Sequence, residues 1–300
     1  MTIKTQWMLG LLAALVAISA PAARSQALIN QAAVTAAGGF PYMISQPGSY
    51  KLSGNLTNTT TSSAILIESN NVTLDLNGYT ILGPGSKDVA YPGTYAVPFL
   101  GTDISALKPT VGIGVLTWDV ENPDAGLANI TVKNGTIRGF NIGAYLLGSG
   151  LVSDLRLVGN QSDGLDVDGF VVVRCGANSN VDSGIAAADS SVSESVANAN
   201  GTSSWISYGL SVYTSVVSNS TSNGNLGSLK FPVNPSIGLL VSSSSAIQNT
   251  VNSNLYDFGL ILQNSSVGGS NTMISNFSDL QANPLKNYDL NNNRCSTNGC

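Results

Sequence analysis

The chain contains no histidine, and its 300 residues include only 3 cysteines, 3 tryptophans and 10% charged side chains. Without histidine there is no His-based catalytic triad and no ordinary zinc site. Neither a Gly-rich phosphate loop nor a Cys-x-x-Cys cluster is present. The shortage of charge does not signal disorder, because disordered chains are usually charge-rich and poor in β-branched residues. Here Val, Ile and Leu alternate with small polar residues, which is a strand-and-turn composition. Acids outnumber bases 17 to 12, for a formal charge of -5, which argues against nucleic acid or an anionic membrane surface as a partner.

The first residues have their own character. Lys4 precedes an apolar run from Trp7 to Ile18 that Pro21 soon breaks, and Ser25 and Ala27 offer a cleavage site. This predicts a secretory signal peptide over 1–27 rather than a membrane span, no membrane insertion once it is removed, and a secreted or periplasmic location. Its removal takes away Lys4 and Arg24 and no acid, leaving the chain more negative. In an oxidising compartment Cys295 and Cys300 are expected to form a disulfide, whereas Cys175 reads as a buried small hydrophobe.

What the chain does have is a repeated phrase. Strands open at Gly114, Gly143, Gly164, Gly184, Gly209, Gly238 and Gly259, at intervals of roughly 20 residues or somewhat longer. The positions one and three after each glycine are nearly all apolar, for example Leu165 and Val167, Leu210 and Val212, or Leu260 and Leu262. Alternation puts these on one buried face. The pattern predicts an all-β, single-stranded right-handed parallel β-helix, a solenoid of about eight coils over 58–280, with a hairpin-like cap over 28–57 and a tail over 281–300. Asn134, Asn160, Asn178, Asn198, Asn223, Asn252 and Asn276 fall past the second strand of successive coils and are expected to stack as corner residues.

These residues resemble a known group. The opening QPGSYKLSGNLT, then NVTLDLNGYTILG and the Gly-started coils, look like the right-handed parallel β-helix proteins of the pectin lyase-like superfamily, over roughly residues 41–279. The resemblance implies the fold far more than the function, since that superfamily includes pectate lyases, polygalacturonases, alginate epimerases, tailspikes, adhesins and proteins without activity. NQSDGLDV is similar to the Asn-Thr-Asp-Gly segment of polygalacturonases, with Asp163 at the catalytic carboxylate's place. The paired aspartates, Gly-His-Gly and Arg-Ile-Lys of that family are absent, as is the Asp-Pro-His-Glu of alginate epimerases.

Function in a packed solenoid must use outward residues and the loops that rise between coils. Alternation points Asp166 and Asp168 outward together, with Tyr145 beside Asp166 and with Trp118 and Tyr213 two coils from Asp168 on either side. Insertions over 84–108, 201–207 and 225–236 all enter just before a Gly-started strand, and bring Tyr91, Tyr95, Phe99, Trp205 and Phe231 to the same edge.

Carboxylates with aromatic platforms suit a polysaccharide, so Asp163, Asp166 and Asp168 are candidate catalytic residues and Trp118, Tyr145 and Tyr213 candidate substrate contacts. A glycosidase would need two carboxylates, and an outward i, i+2 pair suits the inverting range of roughly 6.5–9.5 Å. A lyase would use carboxylates to hold Ca²⁺ and a base such as Arg156 or Arg174, which are expected to stack on a neighbouring face. No cofactor is required, and Ca²⁺ is an optional one. Three alternatives stay open: the acids are solvated turn residues, the outward apolar residues are simply covered by loops, or the protein is a non-catalytic structural or adhesin-like one with a plain Ser/Asn surface.

Overall fold

The structure, a computed structural model, describes residues 26–85, 112–120, 122, 125–201, 207–226, 236–254, 258–264, 266–274, 278–282, 288–289 and 293–295. Most of a possible signal segment, the aromatic residues of the insertions, Asn276 and Cys300 lie outside the described residues. So does the Cys295–Cys300 pairing.

Every pairing is between a strand and its counterpart one turn later, and every pairing is parallel. Three sheets result, each receiving one strand from every turn. The first runs from Tyr42–Ile44 to Ser278–Ala282 and the second from Ala27–Ile29 to Tyr288–Asp289. The third runs from Leu56–Thr57 to Arg294–Cys295. Parallel strands in one sheet are joined by right-handed crossovers, so the chain is a right-handed parallel β-helix, here of about nine turns.

The turn beyond the expected eight comes from the segment read as a hairpin-like lead-in. Its strands Tyr42–Ile44 and Gly48–Leu52 do not pair with one another. Each pairs with the coil above, Tyr42 opposite Ile65 and Tyr50 opposite Leu74. The covering of the first edge begins earlier, with strand Ala27–Ile29 beside Gly48–Leu52 and a short helix, Gln31–Ala36. Asn30 caps that helix by accepting from the Ala33 N–H at 2.9 Å, and Val34 reaches the core.

Apolar columns fill the interior. Leu165, Ile185, Leu210, Leu239 and Leu260 stand in register in the first sheet, and Val152, Val172, Val192 and Val217 in the second; all are buried. The third sheet contributes smaller residues, Ala177, Ala197 and Ser222.

The polar residues that dominate the composition line the inside of the corners. Ser190, Ser215, Ser244 and Ser266 form a ladder at one corner, each hydroxyl accepting from the backbone N–H of the coil before. Cys175, Ser195, Ser220, Asn249 and Asn271 occupy the second corner, and Asn160, Asn180, Asn200, Asn225 and Asn254 the third. The backbone groups that a tight corner would otherwise strand are thereby satisfied without water.

This explains the glycines. A Cβ on Gly164, Gly184 or Gly209 would lie 2.7, 2.7 or 2.4 Å from the Nδ2 of Asn180, Asn200 or Asn225. Each glycine is needed for close approach rather than for an unusual φ.

The ladder corrects the expected asparagine column. Asn178, Asn198, Asn223 and Asn252 do stack in register, but on the outer side of the third sheet. Asn160 belongs to the inner set, two residues further along each coil, and Asn134 bonds Asp75 at a different corner. The Ser/Asn surface expected of the later coils is likewise largely interior: Ser215, Ser220, Ser244, Asn249, Asn254 and Asn271 are all buried. Ser218, Asn219, Asn223, Ser243, Asn252 and Ser253 still face outward.

Candidate functional site

The outward side of the first sheet has three positions per coil rather than the two that plain alternation gives. The residue just before each glycine also points out, because the chain bends inward at the glycine to meet the asparagine ladder. From the Gly114 coil onward the face therefore reads Ile113, Leu116, Trp118; then Ile142, Tyr145, Leu147; then Asp163, Asp166, Asp168; then Ser183, Ala186, Ala188; then Tyr208, Ser211, Tyr213. The register confirms the columns, with Tyr145 opposite Asp166, Asp166 opposite Ala186 and Ala186 opposite Ser211.

The two coils before the acids, with Leu66 of the coil preceding them, form an apolar cluster outside the solenoid core. Leu66, Ile113, Leu116, Ile142 and Tyr145 are buried together, with Trp118 and Leu147 packed against them. Tyr145 is only 5% exposed, so its ring is packing rather than a free platform, and Trp118 is half-buried on the same cluster. The reading in which outward apolar residues are covered holds for these two coils. It does not hold for Asp166, Asp168, Tyr208 and Tyr213, which all keep part of their surface in solvent.

The three candidate aspartates stand side by side across one coil. Asp163 is buried at 8% exposure and accepts from the Ser183 N–H at 3.0 Å and the Ser162 hydroxyl at 3.2 Å. Burial raises its pKa, and these hydrogen bonds oppose the rise. Asp166 lies well above the ordinary carboxylate range, first through desolvation and then through the charges of Asp163 and Asp168. No described residue donates a hydrogen bond to it. Desolvation, then Asp189, raises Asp168. The acids are thus not freely solvated turn residues.

Two further members were not foreseen. Asp182, at the corner before Gly184, is pushed up to about 7 by desolvation and by Asp163, and its Oδ1 is buried without a hydrogen-bond partner. Tyr208 has its pKa raised by burial and by Asp182. Recognising that the residue before each glycine faces outward would have found Tyr208.

The arrangement is a low coil between two higher ones. Adjacent coils are about 4.8 Å apart, so the acid coil and the tyrosine coil flank the Ser183–Ala186–Ala188 coil at roughly 10 Å from one another. Small side chains lie between two rows of larger ones, and Ser183, Ala186 and Ala188 are 4%, 6% and 6% exposed. Gly201 and Ser207, and Leu226 and Ser236, the described residues at the ends of two insertions, lie at the corner beside this coil.

The lyase arrangement is not assembled among the described residues. Arg174 lies at the corner between the second and third sheets, paired with Asp154 at 2.7 Å on the coil before. Arg156 is in the third sheet opposite Gly176, so the two arginines neither stack nor reach the acids. Among the described residues no three acidic or cysteine side chains come together as a metal site.

No family model matches the chain, and no curated protein matches it. Solved structures that match include the Dettilon tailspike protein, at 13% identity and a TM-score of 0.45 over 85% of this chain and 57% of that one. Another is the enzymatically active domain of tailspike protein 2 from bacteriophage CBA120, at 13% identity and a TM-score of 0.48, over 86% of this chain and 40% of that one. A third is the periplasmic alginate epimerase AlgG, at 10% identity and a TM-score of 0.47, over 85% and 77%. The chain spans about half the length of these two tailspike structures. The fold itself rests on the parallel register, which is that of a right-handed parallel β-helix.

Proposed function

We propose that this protein binds a polysaccharide across the outward face of its first sheet, with the two rows that flank Ala186 and Ala188 as the principal contact. One observation carries the reading: three acids in a row, a coil of small side chains and a coil bearing two tyrosines follow one another in register. Sugar hydroxyls seek acceptors, and the C–H faces of the ring pack on aromatic surface. Asp166 and Asp168 supply the first, Tyr208 and Tyr213 the second. The apolar run before Pro21 supports export of the chain to where such polymers occur.

Retention on immobilised polysaccharides tests this. The wild-type chain is expected to be retained by at least one polymer, and Tyr213→Ala and Asp168→Asn to weaken retention without lowering the melting temperature. Unchanged retention in both variants refutes it.

A second reading, hydrolysis, has its own support. Burial raises the pKa of both Asp163 and Asp166, but hydrogen bonds oppose the rise at Asp163 alone, whereas two neighbouring charges add to it at Asp166. That is the division of labour between base and acid in glycoside hydrolysis. It predicts new reducing ends that Asp166→Asn abolishes while binding persists.

A further inference from the structure

The polysaccharide reading leaves the charge of the face unexplained. Its described outward positions carry Glu68, Asp163, Asp166 and Asp168, with Asp182 and Asp189 at the adjoining corners, and no lysine or arginine. The described basic side chains lie on other sheets or corners: Lys51 opposite Asp75, Lys133 opposite Ser153, Arg138 opposite Val158, Arg156 opposite Gly176, Arg294 opposite Thr272, and Arg174 held by Asp154. None of them is among the groups that shift Asp163, Asp166, Asp168 or Asp182. Lys87, Lys108 and Lys230 lie outside the described residues.

A row of half-buried carboxyls with no counter-charge among the described residues either takes up protons or awaits a positive group. A second observation points to a ligand. Ser211 stands in the column of Asp166, one coil beyond Ala186, with 0% exposure and a hydroxyl that has no hydrogen-bond partner. A buried hydroxyl left unpaired costs about 1–3 kcal/mol, and a polar group lodged over Ala186 would pair it.

Resting on the polysaccharide reading, we infer that the ligand is a cationic glycan, a polymer of hexosamine units with free amino groups. Its ammonium group sits over Ala186 between Asp166 and Ser211, and the sugar ring lies against Tyr213. A uronate polymer would bring like charge to like charge, and a neutral polymer would leave the carboxyls uncompensated.

The test is calorimetric titration of the whole chain with three oligosaccharides of equal length: glucosamine, N-acetylglucosamine and galacturonate. The glucosamine oligomer is expected to bind at least about tenfold more tightly than its acetylated counterpart, as one charge-assisted hydrogen bond suffices for that ratio. Binding should release protons to the buffer, because an ammonium group returns raised carboxyls to their ionised form. It should weaken with added salt, and Asp166→Asn or Asp168→Asn should erase the preference for the free amine.

Equal or tighter binding of the acetylated or uronate oligomer overturns the inference using the wild-type chain alone, whatever the folding of the variants. In that case the polysaccharide reading survives. If no polysaccharide of any class binds, both fall.

Discussion

Replacing Asn200 by alanine is the sharpest test of how the solenoid holds its corners. The Asn200 side chain uses its full hydrogen-bonding capacity. Its Oδ1 accepts from the Asn180 backbone N–H at 3.1 Å and from Asn180 Nδ2 at 2.9 Å. Its Nδ2 donates to the Ala177 carbonyl at 2.9 Å and to Asn225 Oδ1 at 3.0 Å. Asn225 Oδ1 retains the Asn200 backbone N–H as a donor, and the Ala177 carbonyl stays within the parallel ladder to the Asn198 strand. The substitution therefore orphans two groups: the Asn180 backbone N–H and one N–H of Asn180 Nδ2.

Asn200 and Asn180 are 0% and 1% exposed, so water cannot replace the lost partners. At about 1–3 kcal/mol per buried orphan, the loss is about 4 kcal/mol. Two residues earlier, Asn198 projects from the outer side of the same coil with an Oδ1 that has no partner to lose. Asn198→Ala is therefore expected to change stability by no more than about 0.5 kcal/mol. Urea unfolding followed by circular dichroism, with hydrogen exchange at the Gly184 and Gly209 coils, measures both. Equal costs, or a cost below about 1 kcal/mol for Asn200→Ala, would refute the ladder as the source of corner stability.

Three other outcomes follow from the same geometry. Gly184→Ala would place a methyl 2.6 Å from the Gly209 carbonyl oxygen and 2.7 Å from Asn200 Nδ2, and is expected to lower the melting temperature, whereas the added methyl of Gly54→Ala meets only Asn30 Cβ at 3.9 Å. Asp163, Asp166, Asp168 and Asp182 have raised pKa values, so the folded chain binds more protons than the unfolded one. Their contribution is complete below the ordinary aspartate value of 3.8 and is lost as pH rises through the raised values, about 7 for Asp182. The melting temperature should thus fall across that window, and Asp182→Asn should flatten its upper part; a rising profile contradicts the burial of these acids. Cys175 is 2% exposed and its thiol is pushed up to about 11 by burial, so iodoacetamide should label it only after unfolding, as peptide mass spectrometry would show.

The sequence made the coil register plain because each strand repeats a glycine and two apolar positions, and that register alone placed Tyr145 beside Asp166. It concealed what depends on where the chain bends. Strict alternation cannot show that the residue before each glycine also faces outward, so Tyr208 went unread. Nor could it separate asparagines two positions apart, one set inside the corner and one outside. The segment 42–57 was misread for a related reason. Its partners lie a full turn later in the chain, and a Pro-Gly step within it imitates a hairpin. Arg174 was assigned to a stack of arginines, where it turns a corner with φ of 53° and meets Asp154 instead.

Retention of the wild-type chain and of a Tyr213→Ala, Asp168→Asn double variant on a panel of neutral, uronate and amino polysaccharides tests the central claim most directly. The account predicts that the wild type is held by at least one polymer and that the equally stable double variant is released. Retention of neither protein by any polymer, or of both to the same extent, would contradict it.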